Sequence, residues 1–291
     1  MNVFTWCPVA QILLLGLLMG MADSSHAEDS ATSARVRLCS YNIRLFNPGD
    51  GPDHWPNRAD AVIQFLRQHD VVGLQEVTPQ QMVQLTRRLS PEFTGYGVGR
   101  DDGKQRGEAA AIFYRSARFT ADPGSTRWLS PTPDVFGSKG WDAALPRTFT
   151  MLHLTDKQTG KHLAVINTHF DHRGKIARSK SAELLVQQVE KQPTTLPVVL
   201  MGDFNCVPSS QPYQVLANSR LDDARLVAKV RQNGPPSTWN GFRAIQTGRI
   251  IDHLFVTPNV NTKVFQIRDP KTQSGRFASD HLPVCAEILI P

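Results

Sequence analysis

Short apolar runs rich in Val, Ile, Leu and aromatic residues, bounded by Gly, Pro, Asn or Asp, recur along most of the chain and predict strands. They fall at 36–42, 71–75, 96–100, 109–114, 147–154, 163–168, 198–202, 250–256, 260–267 and 282–290. Helical spacing is rarer. Val62, Phe65 and Leu66 mark a helix over 59–68. Thr78-Pro79 opens a second as an N-cap followed by proline, with Met82, Leu85 and Leu89 on its stripe. The third spans 174–190, with Ala177, Leu184, Leu185 and Val189 inward. Thr159-Gly160 reads as a hairpin turn between two longer strands. Many strands, few helices and no strict βαβ rhythm predict two sheets packed face to face with helices outside.

The amino-terminal segment changes the picture. Residues 9–21 form an apolar run with the length of a secretory h-region, too short to span a bilayer comfortably, and Ser25-His26-Ala27 offers small residues where a signal peptidase reads. We expect 1–27 to be a secretory signal peptide, 28–291 to be a single domain, and the product to be exported, periplasmic or secreted, with no membrane span after cleavage. A retained anchor is the competing reading, since no Lys or Arg precedes the run. The chain carries 32 Lys and Arg against 26 Asp and Glu, a net charge of +6, and cleavage would remove one acidic residue and no Lys or Arg. That balance favours anionic partners: nucleic acid, phosphorylated metabolites or an anionic membrane surface. The basic residues are dispersed, so no basic arm is expected. Cys7 leaves with the leader. Cys39, Cys206 and Cys285 lie in or beside apolar stretches and read as small buried hydrophobes, at least one of them unpaired. Without a C-x-x-C pair, a zinc knuckle is unsupported.

Candidate chemistry gathers where strands end. The apolar run 196–201 leads into Gly202-Asp203-Phe204-Asn205, and strand alternation would put Asp203 and Asn205 on one face with Phe204 on the other. Other ends carry Ser40-Tyr41-Asn42, Gln75-Glu76 and Asn167-Thr168-His169. Asp252 opens one strand, and Ser279-Asp280-His281 precedes the last. One such acid is usually a cap or turn residue; this many, with Asn, Glu, His and Asp together, are hard to explain as caps.

The ordered series Tyr41-Asn42, Gln75-Glu76, Gly107-Glu108, Asn167-Thr168-His169, Gly202-Asp203-Phe204-Asn205, Asp252 and Ser279-Asp280-His281 resembles the endonuclease/exonuclease/phosphatase superfamily, the deoxyribonuclease-I-like hydrolases, from about residue 35 to 290. The stretch 137–147 is similar to a secreted bacterial branch of it. The resemblance implies an α/β four-layered sandwich of two packed mixed β-sheets flanked by helices, with a cleft at the top. It also implies a divalent-metal-dependent phosphoesterase, acting first on phosphodiesters as a nuclease or phosphodiesterase. The alternatives are a phosphomonoesterase on sugar or inositol phosphates, a phospholipid phosphodiesterase, and a fold that only binds phosphorylated ligands. Mg²⁺, or Mn²⁺ or Ca²⁺, would be held by Glu76, with Asn42 beside it and Asp280 direct or through water. Asp203 would orient or deprotonate the attacking water, and Asn205, His169 and His281 would contact the phosphate. Asp252 would hold His281 in its working tautomer, and Glu108 would do so for His169. Whether Asp203 or His281 takes the proton stays open at this point.

Substrate-facing candidates are Trp55 and Arg58 on the loop after strand one, Arg106 near Glu108, His172 at the rim, and Trp239 in Trp239-Asn240-Gly241-Phe242. Trp128, Phe136 and Trp141 mark a Pro/Gly-rich loop. These aromatics either stack a substrate or plug the ends of the sandwich. His253 reads as structural, and His54, His69, His153 and His162 as surface or core. The expected partner is an anionic phosphate ester, nucleic acid included, and the expected assembly a monomer.

Overall fold

The computed structural model describes Met1 and residues 33–291, so the expected leader, Met1 aside, lies outside the described residues. Residues 33–291 form a unit of their own. In chain order its strands are β1 (Ala34–Asn42), β2 (Val71–Val77), β3 (Phe93–Tyr96), β4 (Ala109–Arg115), β5 (Phe119–Ala121), β6 (Ser125–Trp128), β7 (Thr148–Asp156), β8 (His162–His169), β9 (Val198–Asp203), β10 (Asp222–Asp223), β11 (Val230–Arg231), β12 (Asp252–Val256), β13 (Asn261–Ile267) and β14 (Val284–Ile290). The helices are α1 (Trp55–Leu66), α2 (Pro79–Leu89), α3 (Lys175–Glu190), α4 (Gln211–Ala217) and α5 (Ala224–Val227). Among the described residues no helix is long and apolar enough to cross a membrane.

One sheet runs β11-β13-β14-β1-β2-β4-β3, the other β10-β12-β9-β8-β7-β5, with β6 also on β7. Alternate side chains of their central strands serve two cores. Leu38, Val71, Ile112, Val165, Val199 and Leu254 meet between the sheets. Tyr41, Val72, Leu74 and Phe113 turn outward onto α1 and α2, and Ile166, Leu200 and Phe255 onto α3 and α4. Burial on both faces makes such strands nearly continuous apolar runs, which is why they were visible. The result is the four-layered α/β sandwich of two mixed sheets.

The pairing directs the chemistry to one edge. β1 is parallel to β2 with Asn42 opposite Gln75, and β8 is parallel to β9 with His169 opposite Asp203. β12 starts antiparallel to β9, so Asp252 faces Asp203, and β7 starts beside the end of β8. Asn167 pins the two sheets together below that edge. Its amide donates to the Leu74 and Ala111 carbonyls at 2.9 and 2.8 Å, and its oxygen accepts from Gln75 at 2.6 Å. Gly73 makes the room, since a Cβ there would lie 2.8 Å from the Asn167 side chain.

Several expectations are corrected. The strand expected at 96–100 is β3, ending at Tyr96, because residues 99–106 fold back on themselves through Gly99 N to Lys104 O and Asp101 N to Arg106 O. Helix α1 begins four residues early, with Pro56 in its first turn, so Trp55 and Arg58 lie on a buried helix rather than a loop. The strand carrying Asp203 stops there, and Asn205 follows in a left-handed conformation at φ 47° instead of continuing the alternation. Elements β5, β6, β10, β11, α4 and α5 were not anticipated; all except the seven-residue α4 have four residues or fewer.

Candidate active site

Asp203 is the hub. Its Oδ2 accepts from Asn42 Nδ2 at 3.0 Å and lies 3.3 Å from His169 Nε2 and 3.7 Å from His281 Nε2, while Oδ1 accepts the Asn205 N–H at 2.9 Å. Burial, and then repulsion from Asp252, push its carboxyl up to about 7. His281 Nδ1 donates to Asp252 at 2.9 Å. Burial alone would strip the proton from His281, but Asp252 and Asp203 raise its pKa well above the ordinary imidazole value. The ring is therefore an imidazolium held between two acids.

His169 is the opposite case. Burial and the Arg147 and Arg100 guanidinia lower its pKa well below the ordinary value. Arg147 Nη1 sits 3.0 Å from His169 Nδ1 and can only donate, so Nδ1 is an acceptor and the proton is on Nε2, facing Asp203. The expected Glu108–His169 pair is not made. Glu108 binds Arg100 Nη1 at 2.7 Å instead, because the buried guanidinium is the stronger partner for a carboxylate. Arg147 and Arg100 are the residues that sequence reasoning missed. A usable signal was topological: an Arg one residue before a strand antiparallel to the one ending in His169 must lie at the same edge.

Glu76, Glu108, Arg100, Arg147 and His169 line one narrow gap. Glu76 reaches it from a bulge in β2, with φ 62°. A non-glycine residue held there costs on the order of 1–3 kcal/mol and marks a side chain aimed by its surroundings. Its Oε1 accepts from Asn42 Nδ2 at 3.1 Å and its Oε2 from Leu45 N at 3.0 Å. Asp280, 3.9 Å from Arg44 Nη1, has its carboxyl pushed up by burial, with the Glu76 charge acting in the same direction. Two acids that repel each other, both hard oxygen donors with an amide beside them, suit a hard divalent cation. Asp203, Asp252 and His281 also converge within 4.8 Å, but there the imidazolium already supplies positive charge.

The substrate-facing candidates divide. Arg58 is buried and donates to the carbonyls of Asp53, Ile43, Arg44 and Ala278, so it is committed to the scaffold under the cleft and is not available to a substrate. Trp55 and Trp128 are likewise buried plugs. Arg106 is exposed and pairs with Asp102 on its own loop. His172 is exposed at the rim, held by Arg147 Nη2 at 3.0 Å. Trp239 bridges to the His281 backbone, and the Arg249 guanidinium lies 3.7 Å over its ring. His253 is buried against the Cys206 carbonyl, in a structural place.

Asp171 fixes the loop that delivers Arg147. It accepts four backbone N–H groups, from Arg173, Gly174, Ala144 and Leu145, at 2.7–3.2 Å. Burial pushes its carboxyl up, but those donors bring it down to about 2. Asp171→Ala should lower the unfolding free energy by roughly 2–4 kcal/mol. A depressed carboxyl stabilises above its ordinary value of about 4. That contribution is lost as pH falls through about 2, so the gap between variant and wild type in denaturant unfolding should close in acid.

Comparison with known proteins identifies the family. The sequence matches the model of the Endonuclease/Exonuclease/phosphatase family over residues 39–281. A solved endonuclease/exonuclease/phosphatase of Bacteroides vulgatus is 38% identical with a TM-score of 0.84, covering 89% of this chain and 100% of that one. A mannosyl-6-phosphatase of Bacteroides thetaiotaomicron is 35% identical with a TM-score of 0.81, covering 87% and 99%. Nocturnin of Drosophila melanogaster is 25% identical over 88% of this chain, which spans only 47% of that longer protein. The chain belongs to the endonuclease/exonuclease/phosphatase family of phosphoesterases.

Proposed function

We propose that this chain is an exported, divalent-metal-dependent phosphatase of sugar phosphate monoesters. The convergence of Asn42, His169, Asn205 and His281 on the Asp203 carboxyl carries the phosphoesterase reading. The likeness to a mannosyl-6-phosphatase along nearly the full length of both chains supports the substrate class. A monoester is dianionic near neutral pH, and the buried Arg100 and Arg147 guanidinia set two positive charges beside His169 and Glu76. Export rests on the apolar run at 9–21 and the small residues before 28.

Glu76 and Asp280, with Asn42, would hold the cation, which when bound supplies Lewis-acid polarisation of the phosphoryl oxygen. The remaining chemistry belongs to side chains. Asp203 Oδ2 takes the proton of the attacking water, because its carboxyl titrates near neutrality while His281 is already protonated. A water oxygen–phosphorus bond forms as the bond from phosphorus to the sugar oxygen breaks, and that oxygen takes up a proton from solvent to leave as the alcohol. The His281 imidazolium, His169 Nε2–H and Asn205 amide stabilise the charge gathering on the phosphoryl oxygens. Beside Asn205 a cavity of about 560 Å³, lined by His172, Lys175, Arg178 and Arg249 among others, would receive the leaving group.

The diester reading keeps one specific support: Trp239 and Arg249 offer a stacking wall next to His281. A panel of sugar phosphates, inositol phosphates, DNA, RNA and sphingomyelin with Mg²⁺ or Mn²⁺ separates the readings. We expect release of inorganic phosphate from hexose 6-phosphates, abolition by chelator, and a loss of at least ~10²-fold in Glu76→Gln. Cleavage of nucleic acid without phosphate release from sugars would overturn the monoester assignment.

A further inference from the structure

Further back along the first sheet, on the face covered by α1, lies a cluster that the phosphoester site does not use. β1 and β14 set Cys39 directly opposite Cys285, and His69, just beyond α1, comes in over the pair. One donor atom from each, two sulfurs and a ring nitrogen, lie within 4.8 Å of one another. Cys39 is fully buried and Cys285 half-buried. The cluster borders a cavity of about 460 Å³ whose lining includes His69, Cys285, Gln68, Gln266, Arg37 and Arg268.

Two features go beyond two cysteines acting as small hydrophobes. His69 Nδ1 lies 3.1 Å from the Phe65 carbonyl, which can only accept, so the ring proton is on Nδ1 and Nε2 keeps its lone pair. That backbone bond is the outer-sphere contact that fixes a metal-binding imidazole. A thiolate is the form that ligates. The cavity supplies an entry path and a position for a further ligand.

We propose that Cys39, Cys285 and His69 form a second cation site, selective for a thiophilic d¹⁰ ion such as Zn²⁺ or Cu⁺, with one coordination position open to the cavity. Two soft thiolates and an imidazole reject Mg²⁺, while the oxygen donors at Glu76 and Asp280 favour it, so one chain separates the two metal classes. Binding requires both thiols as thiolates, and their protons pass to solvent.

The test is titration of the reduced full-length protein with Cd²⁺, followed by its near-ultraviolet thiolate-to-metal charge-transfer band. We expect saturation at one ion per chain, no competition from Mg²⁺, and protection of two thiols from alkylation. Cys285→Ser should abolish the band while phosphoester hydrolysis is kept. His69→Gln should weaken binding by more than the ~10–100-fold that loss of an outer-sphere partner costs. Glu76→Gln should lose hydrolysis and keep the band, so failure here is distinguishable from failure of the phosphatase reading. Should Cys285→Ser not fold, His69→Gln carries the comparison. No band in the reduced wild type, an undiminished band in either variant, or a Cys39–Cys285 disulfide in protein purified without reductant would overturn the proposal.

Discussion

Asp203→Asn should lower kcat by ~10²–10⁴-fold, the range for loss of a positioned general base, and should raise thermal stability at pH 8. The carboxyl titrates at about 7 in the folded chain, against about 4 for an ordinary carboxyl. A raised acid favours folding fully below its ordinary value and loses that contribution as pH climbs to the folded value. Above about 7 the wild type therefore carries a buried carboxylate flanked by Asp252, and asparagine removes that charge with almost no change in shape. The amide oxygen can still accept from Asn42, while the amide NH2 replaces the acceptor of the Asn205 N–H, so the gain is the relief of the buried charge less that one bond. The stability gain of the variant should open between pH 4 and 7 and then level off in thermal melts. Wild-type kcat should rise with pH through about 7, and the variant should lose that limb. Near-wild-type turnover would remove Asp203 from its role as base.

Much of this was legible because the fold leaves it in one dimension. Strands buried on both faces read as apolar runs, and parallel strands present their carboxyl ends together, so Asn42, Glu76, His169 and Asp203 each appear as a polar break after such a run. What failed depended on register or on a partner elsewhere in the chain. Arg147 looks like a surface residue at a strand start until β7 is set against β8, and Glu108 then loses His169 to Arg147 and takes Arg100. Arg58 reads as an exposed cation in sequence, yet four carbonyls from three segments claim its guanidinium. The Cys39–His69–Cys285 grouping needs the β1–β14 register, which no local pattern encodes. Strand alternation misplaced Asn205 because the strand stops at Asp203 and Asn205 follows it in a left-handed backbone.

Asp252→Asn should lower kcat by ~10²–10⁴-fold and shift the active pH range toward acid. Both Asp252 oxygens lie within 3.2 Å of His281 Nδ1, and Asp252 is the largest of the influences raising that histidine against burial. An asparagine oxygen keeps a hydrogen-bond acceptor but removes the counter-charge, so burial would win and the imidazolium would give up its proton at lower pH. The alkaline limb should therefore move down. Asp203 responds in the same direction while His281 remains protonated, because repulsion from Asp252 is, after burial, what raises it. The acid limb should move down with it. Simple damage to the cleft would reduce the height of the pH–rate profile and leave both limbs in place, whereas His281→Ala should flatten the alkaline limb altogether. Profiles of kcat taken at saturating divalent cation distinguish these outcomes. A lowered profile with unmoved limbs would mean that Asp252 holds His281 in position without setting its charge.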